Sequence, residues 1–138
     1  VEKRGLTIIT TGVEALHFLS SFPVKTICPG GTLNSENRTV LVGDEVVRAL
    51  SDMRANFAFF SSQAIDAHGT LFDNYRSEIP CINRMLSSSE CRVFLCDSSK
   101  TGRLSTFRLC SLADVDIVVS DAPLGQMYGD EFPDVRFI

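Results

Sequence analysis

Arg92-Val93-Phe94-Leu95-Cys96-Asp97-Ser98-Ser99-Lys100-Thr101-Gly102 divides into two halves of opposite character. Val93 to Cys96 is a short apolar run, the length a buried strand takes. From Asp97 onward the chain is polar, with two serines, Lys100 and Gly102. In an open parallel α/β sheet, ligands sit just beyond the carboxyl ends of the strands. An anion, two hydroxyls and a cation thus stand where such a sheet binds a small polar molecule. Lys100 is a mobile point charge suited to a phosphate, and ionised Asp97 accepts hydrogen bonds from sugar hydroxyls. The same residues also make an ordinary Asp-Ser-Ser turn beside a solvated lysine, because Asp, Ser and Gly favour turns for conformational reasons alone.

On either side of this stretch, similar runs recur. Phe57-Ala58-Phe59-Phe60 reads as a strand covered on both faces. It leaves through residues 61–70, which read as a long polar loop carrying Gln63, His68 and Gly69. Ser77 is placed to cap a helix that tolerates Pro80 in its first turn, with Ile79, Ile82, Met85 and Leu86 as its core stripe. Downstream, residues 104–110 read as an edge strand and 112–115 as a single turn. Ile117-Val118-Val119 is a further buried strand ending in Ser120-Asp121. Residues 123–133 read as irregular, and 135–138 as a terminal strand.

Toward the start, Leu6-Thr7-Ile8-Ile9 is rich in β-branched residues and reads as a strand. Thr11-Gly12-Val13-Glu14 has the form of a capping box opening a helix over 13–21, which Pro23 ends. A strand over 25–28 runs directly into Pro29-Gly30-Gly31, where glycine allows close backbone approach to a ligand. Residues 39–42 are apolar. Gly43-Asp44-Glu45 opens a helix with acids in its first turn, and Val46, Leu50, Met53 and Phe57 extend its apolar face.

Strands therefore alternate with helices from end to end. That pattern predicts an α/β fold with a mostly parallel sheet and helices on both faces, arranged as a single domain over 1–138. The 138 residues, 44% hydrophobic and 22% charged, suffice for a core. A net charge of -4 without a basic run argues against direct nucleic-acid binding. No apolar stretch approaches a membrane span, and no secretory leader is evident. The five cysteines, Cys28, Cys81, Cys91, Cys96 and Cys110, have irregular spacing and read as reduced, mostly buried thiols, not as a metal site.

Several stretches, in order, resemble the carboxyl-terminal domain of the DeoR family of bacterial transcriptional repressors. Thr7-Ile8-Ile9-Thr10-Thr11 resembles the family's strand ending in Thr-Asn, and Pro29-Gly30-Gly31 its strand-then-Gly-Gly element. Val42-Gly43, Phe57-Ala58-Phe59-Phe60, Ile65-Asp66 with Gly69-Thr70, and Arg84-Met85 are similar to the elements that follow. Asp97-Ser98-Ser99-Lys100-Thr101-Gly102 resembles its Asp-x-Ser-Lys-Phe-Gly signature, and residues 115–121 its Asp-Ile strand. The family's Asp-x-Gly-Thr-Thr loop does not occur in these residues.

The resemblance implies an effector domain with the fold of ribose-5-phosphate isomerase, glucosamine-6-phosphate deaminase and CoA transferases. It implies a phosphorylated sugar or related metabolite as ligand, and DNA contact through a helix-turn-helix outside this stretch. It also implies a cytoplasmic repressor that works as a homo-oligomer, since palindromic operators are usually read by paired proteins. The strand ends are expected to converge on one cleft lined by Thr10, Thr11, Gly30, Gly31, Gln63, Gly69, Asp97 and Lys100, with Asp97 holding Lys100 and no cofactor required. The competing reading is a sugar-phosphate isomerase or deaminase of the same fold, for which Asp66, Asp97 and Glu78 are the candidate acids.

Overall fold

A computed structural model describes residues 5–138. The chain divides into two compact units, Val1–Met53 and Arg54–Ile138.

In the first unit, β1 (Thr7–Ile9) pairs in parallel with β2 (Lys25–Ile27), and α1 (Val13–Leu19) connects them. β3 (Thr32–Leu33) and β4 (Leu41–Val42) form an antiparallel pair before α2 (Asp44–Ser51). The capping box anticipated at Thr11 does not form. Gly12 is the N-cap of α1 and no side chain caps it. Helix α1 is also shorter than expected and buries only Leu19, while Phe18 is 62% exposed and packs its ring against Phe22. Helix α2 buries Val46 and Leu50 and ends before Met53, so Phe57 is not part of its face.

The second unit is built on a four-stranded parallel sheet. Its strands β5 (Ala55–Phe60), β8 (Ser89–Cys96), β10 (Ile117–Ser120) and β11 (Arg136–Phe137) lie side by side in chain order. Between β5 and β8 run β6 (Ala64–Ile65), β7 (Thr70–Asp73) and α3 (Ile79–Ser87). β9 (Phe107–Ser111) joins β6 and β7 in a three-stranded antiparallel sheet, at whose edge it lies. Helix α4 (Leu124–Tyr128) connects β10 to β11 within residues expected to be irregular.

One face of the parallel sheet presents Ala58, Phe60, Phe94, Cys96 and Val118 to a core completed by Leu71, Leu86, Leu109, Leu112, Leu124 and Tyr128. Burial of each large side chain contributes about 1.5–3 kcal/mol. On the opposite face Phe57, Phe59, Leu95 and Val119 are exposed. The runs at 57–60 and 93–96 are therefore not covered on both faces in this unit. Strand alternation divides each between core and surface.

Residues 61–70 are not one long loop. Ala64 and Ile65 are each 1% exposed and pair with Phe72 and Leu71 in a hairpin. Two apolar residues in a polar string are too few to announce a strand. Ser77 lies inside a 3₁₀ turn, Arg76–Glu78, and does not cap α3. Cys81, Cys96 and Cys110 are buried, Cys91 is half-buried, and Cys28 is exposed.

The amino ends of β8 and β10 are clamped together. Asp116 accepts a 2.8 Å hydrogen bond from the Arg92 backbone N–H and lies 3.6 Å from its guanidinium, whose Nε donates to the Leu86 carbonyl. Among the described residues no helix is long and apolar enough to cross a membrane.

Candidate functional site

In the first unit, Ile9 is paired with Ile27, and the Thr10 N–H donates to the Ile27 carbonyl at 3.1 Å. Thr10-Thr11 and the segment 28–31 therefore leave the paired strands at the same end. The Thr10 hydroxyl accepts from the Gly12 N–H at 3.0 Å, and the Thr11 carbonyl accepts from the Leu41 N–H at 3.0 Å. Gly30 and Gly31 both have positive φ, +88° and +103°. A Cβ on Gly31 would lie 2.5 Å from Val46 Cγ2 and 2.7 Å from the Val42 carbonyl oxygen, whereas one on Gly30 would meet nothing within 4 Å. Packing alone thus requires glycine at 31. At 30 only the backbone angle does, and the space beside its Cα is open.

In the second unit the carboxyl ends of β5, β8 and β10 stand together, because Phe60 is paired with Phe94 and Ser120 with Cys96. Three polar exits leave this edge: Ser61-Ser62-Gln63, Asp97-Ser98-Ser99-Lys100, and Asp121. The last two are linked by a 3.4 Å hydrogen bond from the Ser98 hydroxyl to Asp121.

Asp97 is the N-cap of a 3₁₀ turn, Ser98–Lys100. Its Oδ1 accepts from the Ser99 N–H at 2.9 Å and also from the Ser99 hydroxyl. These bonds hold its carboxyl below the usual range, with Lys100 and Arg103 adding a smaller pull. Asp97 was expected to hold Lys100; its oxygen is engaged by Ser99 instead. Among the described residues the ion pairs within 4 Å are Arg54–Glu90 and Arg92–Asp116, so the half-buried Lys100 is in none.

The segment after Lys100 is tied to the β6–β7 arm at two points. Thr101 forms a parallel bridge with Ile65, and the Ser105 hydroxyl donates to Asn74 at 2.6 Å. At the end of that arm lies Asp73, half-buried, next to Phe72, whose carbonyl accepts from the Gln63 backbone N–H at 3.0 Å. Desolvation, and then the charge of Glu78, push Asp73 up to about 6, while Gln63 and Lys100 pull the other way. Gln63, Lys100 and Asp73 thus belong to one cluster. Gly69 does not join it: it turns the hairpin at the opposite end from Gln63, with φ +77°, and a Cβ there would lie 2.6 Å from the Phe132 ring.

Neither Asp73 nor Asp121 is marked as a site residue by the sequence. Asp121 directly follows an apolar strand, as Asp97 does, and that parallel is a usable signal. Asp73 ends β7, a four-residue strand that starts at the last residue of the stretch read as loop and was not itself anticipated, so it carries no signal.

The raised Asp73 carries a stability consequence. A carboxyl whose folded value lies above its ordinary 3.8 favours the folded state while protonated, and that contribution is lost as pH rises through about 6. Discounted for partial exposure, the loss is about 1–2 kcal/mol. Asp73→Asn is therefore expected to stabilise the chain by about 1–2 kcal/mol at pH 8 and to bring no gain at pH 4. Urea unfolding at the two pH values measures this.

The site offers anion and hydroxyl recognition more readily than nucleophilic chemistry. Cys96, beneath it, is pushed up by burial and by Asp97 and Asp121, and so stays protonated. Asp66 spends Oδ1 on the backbone N–H groups of His68 and Thr70, each at 2.9 Å. An open cleft of about 380 Å³ lies at the other end of the strands, lined by Asn83, Ser87, Arg92, Cys110, Asp114 and Asp116. Its charged groups are already engaged: Arg92 with Asp116, and Asp114 with the Ser111 N–H in a capping box.

Residues 1–122 match the model of the DeoR C terminal sensor domain. The chain is 31% identical over 124 residues to the glycerol-3-phosphate regulon repressor of Haemophilus influenzae, covering 87% of this chain and 47% of that protein. It is 27% identical over 119 residues to the L-fucose operon activator of the same organism, covering 86% and 47%. It is 27% identical over 120 residues to the glycerol-3-phosphate regulon repressor of Escherichia coli, again covering 86% and 47%. The chain spans about half the length of the curated relatives it matches. With the family model covering most of its length and the strand-end cluster in place, the chain belongs to the DeoR C-terminal sensor domain family.

Proposed function

We propose that this chain senses a phosphorylated sugar or closely related metabolite for a bacterial transcriptional regulator. Lys100 contacts the phosphate or a hydroxyl beside it. Asp97 receives sugar hydroxyls on the oxygen that Ser99 leaves open, and Gln63 borders the ligand. Gly69 shapes the hairpin turn away from this cluster and takes no ligand contact. In the first unit, Thr10, Thr11 and the peptides of Gly30 and Gly31 are the ligand-facing groups. DNA contact belongs to a part of the protein outside these residues, and the regulator works as a homo-oligomer in the cytoplasm. Control of DNA binding requires a ligand that distinguishes two arrangements, because equal affinity for both shifts nothing.

The observation that supports this reading is Lys100: a half-buried ammonium at the carboxyl end of a parallel sheet, in no ion pair within 4 Å among the described residues. Such a cation suits an anionic ligand. Relatives named for glycerol 3-phosphate support the ligand class, and a relative named as an activator leaves both signs of regulation within the family. An isomerase or deaminase is the lesser reading, since Asp97 is held by Ser99 and Asp66 by its own turn.

A thermal-shift screen against sn-glycerol 3-phosphate, ribose 5-phosphate and glucosamine 6-phosphate tests the proposal. A ligand at 100 times its Kd should add about 2.7 kcal/mol of stability. Lys100→Ala should weaken binding about 10- to 150-fold, the loss of one charge-assisted hydrogen bond of about 1.5–3 kcal/mol. No stabilisation by any of the three would overturn the reading, and turnover of ribose 5-phosphate in a coupled assay would favour the enzyme.

A further inference from the structure

Asp73 has no place in the recognition scheme above, yet the fold ties the strand that it ends to the segment that follows Lys100. The bridge between Ile65 and Thr101 and the Ser105–Asn74 hydrogen bond fasten the chain on both sides of residues 102–104 to the arm that Asp73 ends. The groups facing Asp73 come from every element around it. Gln63 follows β5, Glu78 lies on the 3₁₀ turn before α3, Lys100 ends the turn after β8, and the Cys110 thiol lies on β9. Phe107 is its neighbour across the β7–β9 ladder, and the neighbouring Arg108 acts on Cys110. Lys100 is the cation that acts on Asp73, and Glu78 is a second anion beside it.

A ligand anion at Lys100 enters this balance directly. It adds negative charge next to Asp73 and Glu78, engages the ammonium that favoured the carboxylate, and displaces water. Each change favours a proton on Asp73. A protonated Asp73 then donates a hydrogen bond where a carboxylate would repel.

We propose that Asp73 is the proton-linked partner of the Lys100 anion site: binding of an anion at Lys100 raises the proton occupancy of the Asp73 carboxyl, and ionisation of Asp73 weakens binding. The inference rests on the reading of Lys100 as the anion contact. It assigns to the sensor a pH dependence and a residue that the family motifs in this chain do not mark. Desolvation places the free carboxyl's titration near 6, so affinity is full below that pH and falls as the pH rises through it.

The test follows the Asp73 side-chain carbon by NMR titration of the chain, alone and with saturating sulfate, whose charge is fixed across the range. Calorimetry with sulfate and with sn-glycerol 3-phosphate at pH 5.5 and 7.5 accompanies it. Sulfate should raise the Asp73 midpoint by about 0.7 unit, and its affinity should fall about three- to fourfold between the two pH values, the two being reciprocal expressions of one coupling. Asp73→Asn should remove the fall. In the free chain, Lys100→Ala should raise the Asp73 midpoint. Binding equally tight at both pH values, or a midpoint unmoved by Lys100→Ala, would overturn the inference while leaving Lys100 as the anion contact. Absence of binding by either anion at either pH would overturn both.

Discussion

Replacing Phe94 with alanine is expected to lower the unfolding free energy by about 3–5 kcal/mol. Phe94 is 0% exposed and sits on β8, which is flanked by β5 and β10. Its ring packs on Phe60, 5.3 Å away between centroids, and its backbone neighbours are Phe60 and Val118. Truncation removes the buried area and leaves a cavity, and the flanking strands resist collapse because their register is set by the ladder itself. A chain of this size has about 5–15 kcal/mol in total, so the loss is a large share of the whole. Urea denaturation should show a lower midpoint, and a shift under about 1 kcal/mol would contradict the core described here. The comparison variant is Leu95→Ala, one residue along and 43% exposed, which should cost far less.

Gly31→Ala carries the second large effect, about 2–5 kcal/mol, from two sources that add. A φ of +103° strains any L side chain by about 1–2 kcal/mol. The new methyl would also meet Val46 Cγ2 at 2.5 Å and the Val42 carbonyl oxygen at 2.7 Å. Neither can retreat freely, since Val46 is 0% exposed and Val42 is paired with Thr32 in the β3–β4 ladder. Overpacking of this kind costs about 1–3 kcal/mol more. Gly30→Ala meets nothing within 4 Å and should show only the backbone strain. Thermal unfolding of the two variants separates the cases: a Gly31 variant no less stable than the Gly30 variant would show that the contacts with Val46 and Val42 are not limiting. The pair also divides the Gly-Gly element into one position set by packing and one set by backbone angle alone.

The elements that were legible in the sequence are those with enough like residues to declare themselves. Phe57-Ala58-Phe59-Phe60, Val93-Phe94-Leu95-Cys96 and Ile117-Val118-Val119 all form strands of one parallel sheet, as their apolar runs imply. What the runs do not disclose is which residues of each lie on the core. Phe57 and Phe59 are as apolar as Phe60, yet they are 56% and 61% exposed, because the choice of face depends on what the sheet packs against. Ala64-Ile65 and β7 were lost in a polar surround, although Ile65 and Leu71 are among the most buried side chains.

The same limit applies to the site. Asp97 and Lys100 stood out because a polar sequence follows directly on an apolar one. Asp73 depends on a hairpin that folds back from β5 and on a loop fastened to it by Ile65 and Asn74, contacts between residues 31 to 36 positions apart along the chain. Sequence proximity could not have shown Asp73 beside Lys100. Nor could composition distinguish the Asp97 oxygen engaged by Ser99 from one open to a ligand.

Amide chemical-shift mapping during a titration with sn-glycerol 3-phosphate tests the central claim most directly. The account predicts concentrated shifts at Gln63, Ser98–Lys100 and Thr101, at the carboxyl edge of the parallel sheet. Shifts concentrated instead at Asn83, Arg92 and Asp114, in the cleft at the opposite end of the strands, would contradict it.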